Sequence, residues 1–231
     1  MTLKSDLTAW CRTIFRTAWT TREGKDVPTD DSKIGLKNDG INIKAAVLYA
    51  DLADSTKLVD AETSEFAAEV YKTFLYCAAQ VIRDGGGTIT AYDGDRVMAV
   101  FMGSTPNNDA VRTAMKIRWA VEKIITPQLR DMYDHKASFE VPHVIGIDTS
   151  ELLVAKTGVR GANDLVWIGR AANYAAKLSA LPPSYIYITK AVYDLLNKGN
   201  KFSEDVNMWE ERTWLFNKSS IYRSSYRRSF D

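Results

Sequence analysis

Asp51 closes an apolar run, AAVLYAD, and Asp95 opens another, DRVMAVF, just after an Asp93-Gly94 pair. Runs of this length read as strands, and Asp-Gly between two of them is a tight-hairpin signal. A long helical pattern separates the two runs. If they pair as antiparallel neighbours, the end of one lies beside the start of the other and both carboxylates reach one sheet edge. Two bridging carboxylates can hold two magnesium or manganese ions about 4 Å apart, which would activate an attacking oxygen and stabilise a departing one. Aspartates at strand ends also serve simply as turn formers, and Asp93 is read that way.

The elements needed to position these residues follow from periodicity. From Ile41 to about Thr189 the order is strand 43–51, helix from about 60 to 83, hairpin 87–101, helix from about 107 to 130, strand 138–149. The first helix places Phe66, Val70, Phe74, Ala78 and Ile82 on one stripe, and the second does the same with Ala110, Ala114, Ile117, Val121 and Ile124. Gly85-Gly86-Gly87 reads as a helix stop. This is the α+β, ferredoxin-like βαββαβ order, in which the first and third strands are antiparallel central neighbours. Residues 1–40 read as an amphipathic N-terminal helix (Leu7, Trp10, Ile14, Ala18) and a polar linker, 41–190 as the main domain, and 191–231 as a short helix, begun at Lys190, with an aromatic, basic tail. That tail, with Trp209, Trp214 and Tyr222, is expected to pack on the domain or on a dimer mate.

Composition excludes several classes. A chain of 231 residues with 45% apolar residues can bury one sizeable core, and a net charge of +1 gives no support for a nucleic-acid partner. Two cysteines, Cys11 and Cys77, make neither a disulfide framework nor a zinc site, and Cys77 falls on an apolar stripe as a buried thiol. No run is long enough for a membrane span or a signal peptide, so a cytoplasmic protein is expected.

Four segments, YADLADST (49–56), YDGDRVMAVF (92–101), VIGIDTSELLVA (144–155) and VWIGRAANYAAKL (166–178), resemble in this order the signature segments of class III nucleotidyl cyclase catalytic domains. The resemblance implies conversion of a nucleoside triphosphate to a 3′,5′-cyclic monophosphate and pyrophosphate, with two divalent ions, Mn2+ or Mg2+. It also implies sites at the interface of a head-to-tail homodimer. By position, Asp51 and Asp95 match the metal-binding aspartates and the Leu52 carbonyl a further metal ligand. Asn173 matches the asparagine that orients the ribose, and Lys177 replaces the arginine that stabilises charge on the reacting phosphate. They lie four residues apart, on one helical face, and lysine keeps the charge without the planar fork. The turn after Asp51 would aim backbone N–H groups at the β- and γ-phosphates, with Ser55 and Thr56 adding hydroxyls. The family usually carries glycine where this chain has Asp54. Lys218 is a candidate for the family's C-terminal phosphate-binding lysine, without a motif to anchor it.

Two departures concern the base. The purine-reading lysine and its acidic or polar partner fall on Ala91 and Val166, neither of which hydrogen-bonds a base edge. Tyr49, on the same strand face as Asp51, Arg96, with five donors, and Trp167 are the candidates to fill or read the space around a smaller ring. This combination resembles the pyrimidine cyclases of bacterial Pycsar antiphage systems. It implies cyclic UMP or cyclic CMP as a messenger for a separate cyclic-nucleotide-binding effector. UTP ranks ahead of CTP because arginine donors suit uracil's two carbonyl oxygens. An adenylate cyclase with an atypical base pocket and a catalytically idle cyclase-like dimerisation module remain as alternatives. Asp51, Asp95, Asn173 and Lys177 weigh against idleness, since a scaffold needs none of them.

Overall fold

The computed structural model describes residues 2–230. Thr2 caps α1 (Leu3–Arg16) by accepting the Ser5 N–H. A polar stretch then leads through β1 (Thr20–Glu23) to β2 (Asp39–Leu52). β1 lies parallel to the start of β2, where the sequence suggested only a linker. The helix expected from about 60 is two helices, α2 (Ser55–Ala61) and α3 (Ser64–Asp84), because Thr63 starts a new one by accepting the Phe66 N–H at 3.2 Å. After α3 come β3 (Thr88–Asp93) and β4 (Arg96–Phe101). Their turn, Gly94-Asp95, puts Gly94 at φ +62°, which glycine adopts without steric cost.

α4 (Pro106–Ala120) runs through a π-helical turn (Val121–Ile125) into α5 (Thr126–Met132). β5 (His143–Val159) begins later than the expected 138 and continues past 149 into a hairpin with β6 (Ala162–Ile168), a strand absent from the sequence reading. The chain ends with α6 (Arg170–Leu178), β7 (Ile186–Thr189), α7 (Lys190–Asp194), α8 (Lys198–Lys201), the pair β8 (Phe202–Ser203) and β9 (Val206–Asn207), β10 (Glu210–Thr213) and β11 (Ser220–Ser224).

The chain divides into two compact units. The smaller comprises residues 1–44 and 151–169 and holds α1, the β1–β2 pairing and the β5–β6 hairpin; the larger comprises 45–150 and 170–231. The larger unit carries the sheet order β10-β11-β7-β5-β2-β4-β3, with β2 antiparallel to β4 and β5 parallel to β7. This is the expected βαββαβ core extended by the C-terminal strands.

On one sheet face, Phe66, Val70, Phe74, Ala78 and Ile82 of α3 and Ala110, Ala114 and Ile117 of α4 pack against Leu48, Ala50, Val97 and Ala99. On the other, Leu178 and Trp214 pack on Val144, Tyr187 and Ile221. Because side chains alternate along a strand, β5 serves both layers, Ile145 and Ile147 facing one and Val144 the other. Trp209, Trp214 and Tyr222 are buried, so the tail is part of this core.

Ile124, expected on the α4 stripe, is 42% exposed, while Ile125 is 3% exposed. The Thr126 N–H bonds to the Val121 carbonyl, and the extra residue in that turn rotates Ile124 outward. Cys77 is half-buried, less than its stripe suggested, with its thiol pushed up by desolvation. Among the described residues no helix is long and apolar enough to cross a membrane.

Candidate active site

The β2–β4 register sets Asp51 opposite Arg96, and the Leu52 N–H donates to the Asp95 carbonyl at 3.4 Å. The two aspartates therefore meet at one edge, as the strand ends required. Desolvation, and then the charge of Asp95, hold the Asp51 carboxyl up at about 6, against the pull of Arg96. Arg96 does not neutralise the pair, because its Nε donates to Asp93 at 3.1 Å and its Nη2 binds the same carboxylate. Half-buried carboxylates with an unmet demand for positive charge, both hard oxygen ligands, fit magnesium or manganese. Among the described residues no group of three or more His, Cys, Asp or Glu is placed to hold a metal. Two carboxylates and the Leu52 carbonyl would thus leave room for phosphate oxygens and water, the usual composition of a magnesium site.

Asp54 occupies the left-handed region at φ +56°. That explains the family's glycine there, and aspartate is among the residues that tolerate this conformation. Its carboxylate is held by Lys57 Nζ at 2.7 Å. The Ala53 N–H donates to the Pro142 carbonyl at 2.9 Å, fixing the turn before α2. Ser55, half-buried, and Thr56, exposed, follow in the first turn of α2. Beside them is a cavity of about 400 Å3, lined by Asp51, Leu52, Ala53, Asp54, Val144 and the stretch Ser179 to Pro183.

Asn173 and Lys177 share the exposed face of α6, and neither lies in the wall of that cavity. The Lys177 ammonium stands 4.6 Å from the centre of the Phe216 ring. The helix start is tied to β5: Arg170 gives Nε to Asp148 at 3.0 Å and Nη2 to the Thr149 carbonyl at 2.7 Å, and the Ala171 N–H donates to Ser150 Oγ at 2.9 Å. Asp148 is fully buried and also accepts from Thr189 Oγ1. Desolvation pushes its carboxyl up, and Thr189 and Arg170 pull it down. Sequence reasoning missed Asp148 and Arg170, although an aspartate inside the apolar run VIGID was a visible signal.

Tyr49, Met98 and Ala91 are in register across β2, β4 and β3, and the Arg96 guanidinium lies 5.6 Å from the Tyr49 ring centre. Ala91 follows a register shift after Ile89. Val166 and Trp167 lie in the smaller unit, on β6 opposite Ala155 and Val154. Lys218 sits at φ +61° in the turn after Trp214.

No protein-family model matches the chain. It is 55% identical over 232 residues to a uridylate cyclase of Xanthomonas perforans, with all of both chains covered. It is 47% identical over 215 residues to a uridylate cyclase of Burkholderia cepacia, covering 93% of each. Among solved structures, an adenylyl cyclase of P. aeruginosa superposes with a TM-score of 0.67 at 23% identity, covering 81% of this chain and 96% of that one, which establishes the fold. With the βαββαβ core in place and full-length relatives of this identity, the chain belongs to the class III nucleotidyl cyclase family, in the group of the uridylate cyclases.

Proposed function

We propose that this protein converts UTP to 3′,5′-cyclic UMP and pyrophosphate, acting in the cytoplasm as a homodimer with sites at the interface. The observation that carries the reading is the Asp51–Asp95 edge adjoining the Tyr49–Arg96 stack. Similarity to proteins named uridylate cyclase supports it. Bound Mn2+ or Mg2+ would activate the 3′-hydroxyl and offset triphosphate charge.

The chain's own residues supply position and electrostatics. Asp51, Asp95 and the Leu52 carbonyl would hold the metals, and Ser55, Thr56 and the α2 start would donate to the β- and γ-phosphates. Asn173 orients the ribose, and Lys177 places positive charge where the reacting phosphate gains negative charge. Tyr49 fills space a purine would need, and Arg96 donates to uracil carbonyls, with Ala91 in register beside them. The cyclic product would be read by a separate cyclic-nucleotide-binding effector, as the Pycsar resemblance implies for antiphage signalling.

The test is incubation of purified protein with equal UTP, CTP, ATP and GTP plus Mn2+, with cyclic products identified by mass spectrometry. Dominant cyclic UMP is expected. Dominant cyclic AMP or GMP refutes the pocket argument, and dominant cyclic CMP refutes the ranking of the pyrimidines.

A further inference from the structure

Away from the Asp51–Asp95 edge, the larger unit holds a second cavity, of about 390 Å3, between the π-helical turn and the start of β5. Its wall includes Arg118, Lys123 and His143. Arg118 is 4% exposed and gives Nη2 to Glu122 at 2.9 Å, while its Nε and Nη1 are buried without a partner. Glu122 also binds Arg227, so Arg118 receives only part of a counter-charge.

His143 is likewise 4% exposed, and its Nδ1 lies 3.0 Å from the Val141 carbonyl. A carbonyl only accepts, so Nδ1 carries the proton. Desolvation first, with help from the Arg118 charge, holds the ring neutral, its pKa down at about 4. Nε2 is therefore a lone pair, buried without a donor. Lys123 is exposed at the same wall and has no ion pair among the described residues.

The lining thus combines two unpaired guanidinium donors, a free ammonium and an unpaired acceptor with Glu122 and an Arg130–Glu140 ion pair at 3.6 Å. Groups of this kind are costly to leave unmet. Water could satisfy the hydrogen bonds but would add nothing to the counter-charge that Arg118 shares with Arg227 at Glu122. We propose that this cavity binds a small oxyanion that keeps one hydroxyl, of the monohydrogen phosphate class: its oxygens accept from Arg118 and face Lys123, and its hydroxyl donates to His143 Nε2. The site is joined to the candidate active site by one hydrogen bond, from the Ala53 N–H to the carbonyl of Pro142, which lies in the wall of this cavity.

Calorimetric titration of the full chain with inorganic phosphate tests this, with sulfate as an anion of the same shape lacking the hydroxyl. Phosphate should bind at least about tenfold more tightly than sulfate. Lys123→Ala should weaken phosphate about three- to tenfold. His143→Phe, which keeps a ring beside Phe74, should bring the two anions within about threefold of each other. A Ser55→Ala/Thr56→Ala variant should bind phosphate as the wild type does; loss there moves the anion to the triphosphate loop and overturns the proposal. Equal affinity for phosphate and sulfate, or no detectable phosphate binding, overturns it as well. If His143→Phe fails to fold, the sulfate comparison and Lys123→Ala decide. The binding result stands whether or not the chain cyclises UTP.

Discussion

Asp51 and Asp95 concentrate negative charge at one strand end, and what that charge does distinguishes a metal site from a turn. Asp51→Asn should lower cyclisation at least about a thousandfold while leaving the metal-free protein as stable or slightly more so, since it removes a carboxylate whose charge is disfavoured by burial first and by Asp95 second. A folded variant with near wild-type turnover would rule out the metal role. His143 gives a second prediction, about stability. Its folded pKa of about 4 lies below the ordinary 6.5, so the unfolded chain binds the extra proton between these values. Stability from the neutral ring is full above 6.5 and is lost as pH falls towards 4, a difference worth roughly 3 kcal/mol. Asp51 acts oppositely: its pKa is raised from 3.8 to about 6, so its ionisation on rising pH costs stability over that range. The His143 contribution is therefore a difference between proteins. On going from about pH 7.5 to about pH 5, the urea midpoint of wild type should fall further than that of His143→Phe. Equal falls would place the His143 pKa near 6.5. The aspartate pair was legible in the sequence because residue type and strand pattern sufficed to place it. The role of Asp54 was not, because a left-handed backbone is invisible in residue type alone.

α6 carries Asn173 and Lys177, and both its ends are fixed by β5. At the start, Arg170 and the Ala171 N–H are held by Asp148, Thr149 and Ser150. Near the end, Gly146 lets the helix lie directly on the strand: a Cβ there would stand 2.2 Å from the Ala175 carbonyl oxygen and 2.6 Å from the Ser179 nitrogen. Gly146→Ala must displace helix backbone, since no flexible side chain can yield. The expected cost is about 1–3 kcal/mol of stability, with turnover falling about tenfold or more as Asn173 and Lys177 move. Chemical denaturation and steady-state kinetics on the variant check both; unchanged turnover would mean that the α6 position does not limit the chemistry. The helix stripes that build the core were readable because 3.6-residue periodicity survives wherever the helix is regular. It failed at Ile124, where the π-helical turn adds a residue, and at β6, whose ANDLVWI lacks the strong apolar signal of a central strand. The first failure lies in local helix geometry and the second in a strand that is mostly exposed in its hairpin.

The Asp51–Asp95 edge and the α6 face belong to the same unit, yet the cavity beside Asp51 is not lined by Asn173 or Lys177. Lys177 instead lies over Phe216 on an exposed face. A single chain therefore presents two partial sets of groups, and a twofold-symmetric pair of chains can bring the edge of one against the α6 face of the other, twice. Each completed site would draw metal ligands from one protomer and ribose and phosphate contacts from its partner. Asp51→Ala and Asn173→Ala homodimers should each be inactive, because both of their sites carry a defect. In a mixed dimer both defects fall in one site and the other is intact. With random exchange about half of the dimers are mixed and each has one working site, so an equimolar mixture should recover up to about a quarter of wild-type specific activity. Subunit exchange can be followed by native mass spectrometry while cyclic UMP is measured in the same sample. Mixed dimers without recovered activity would show that each site is built from one chain.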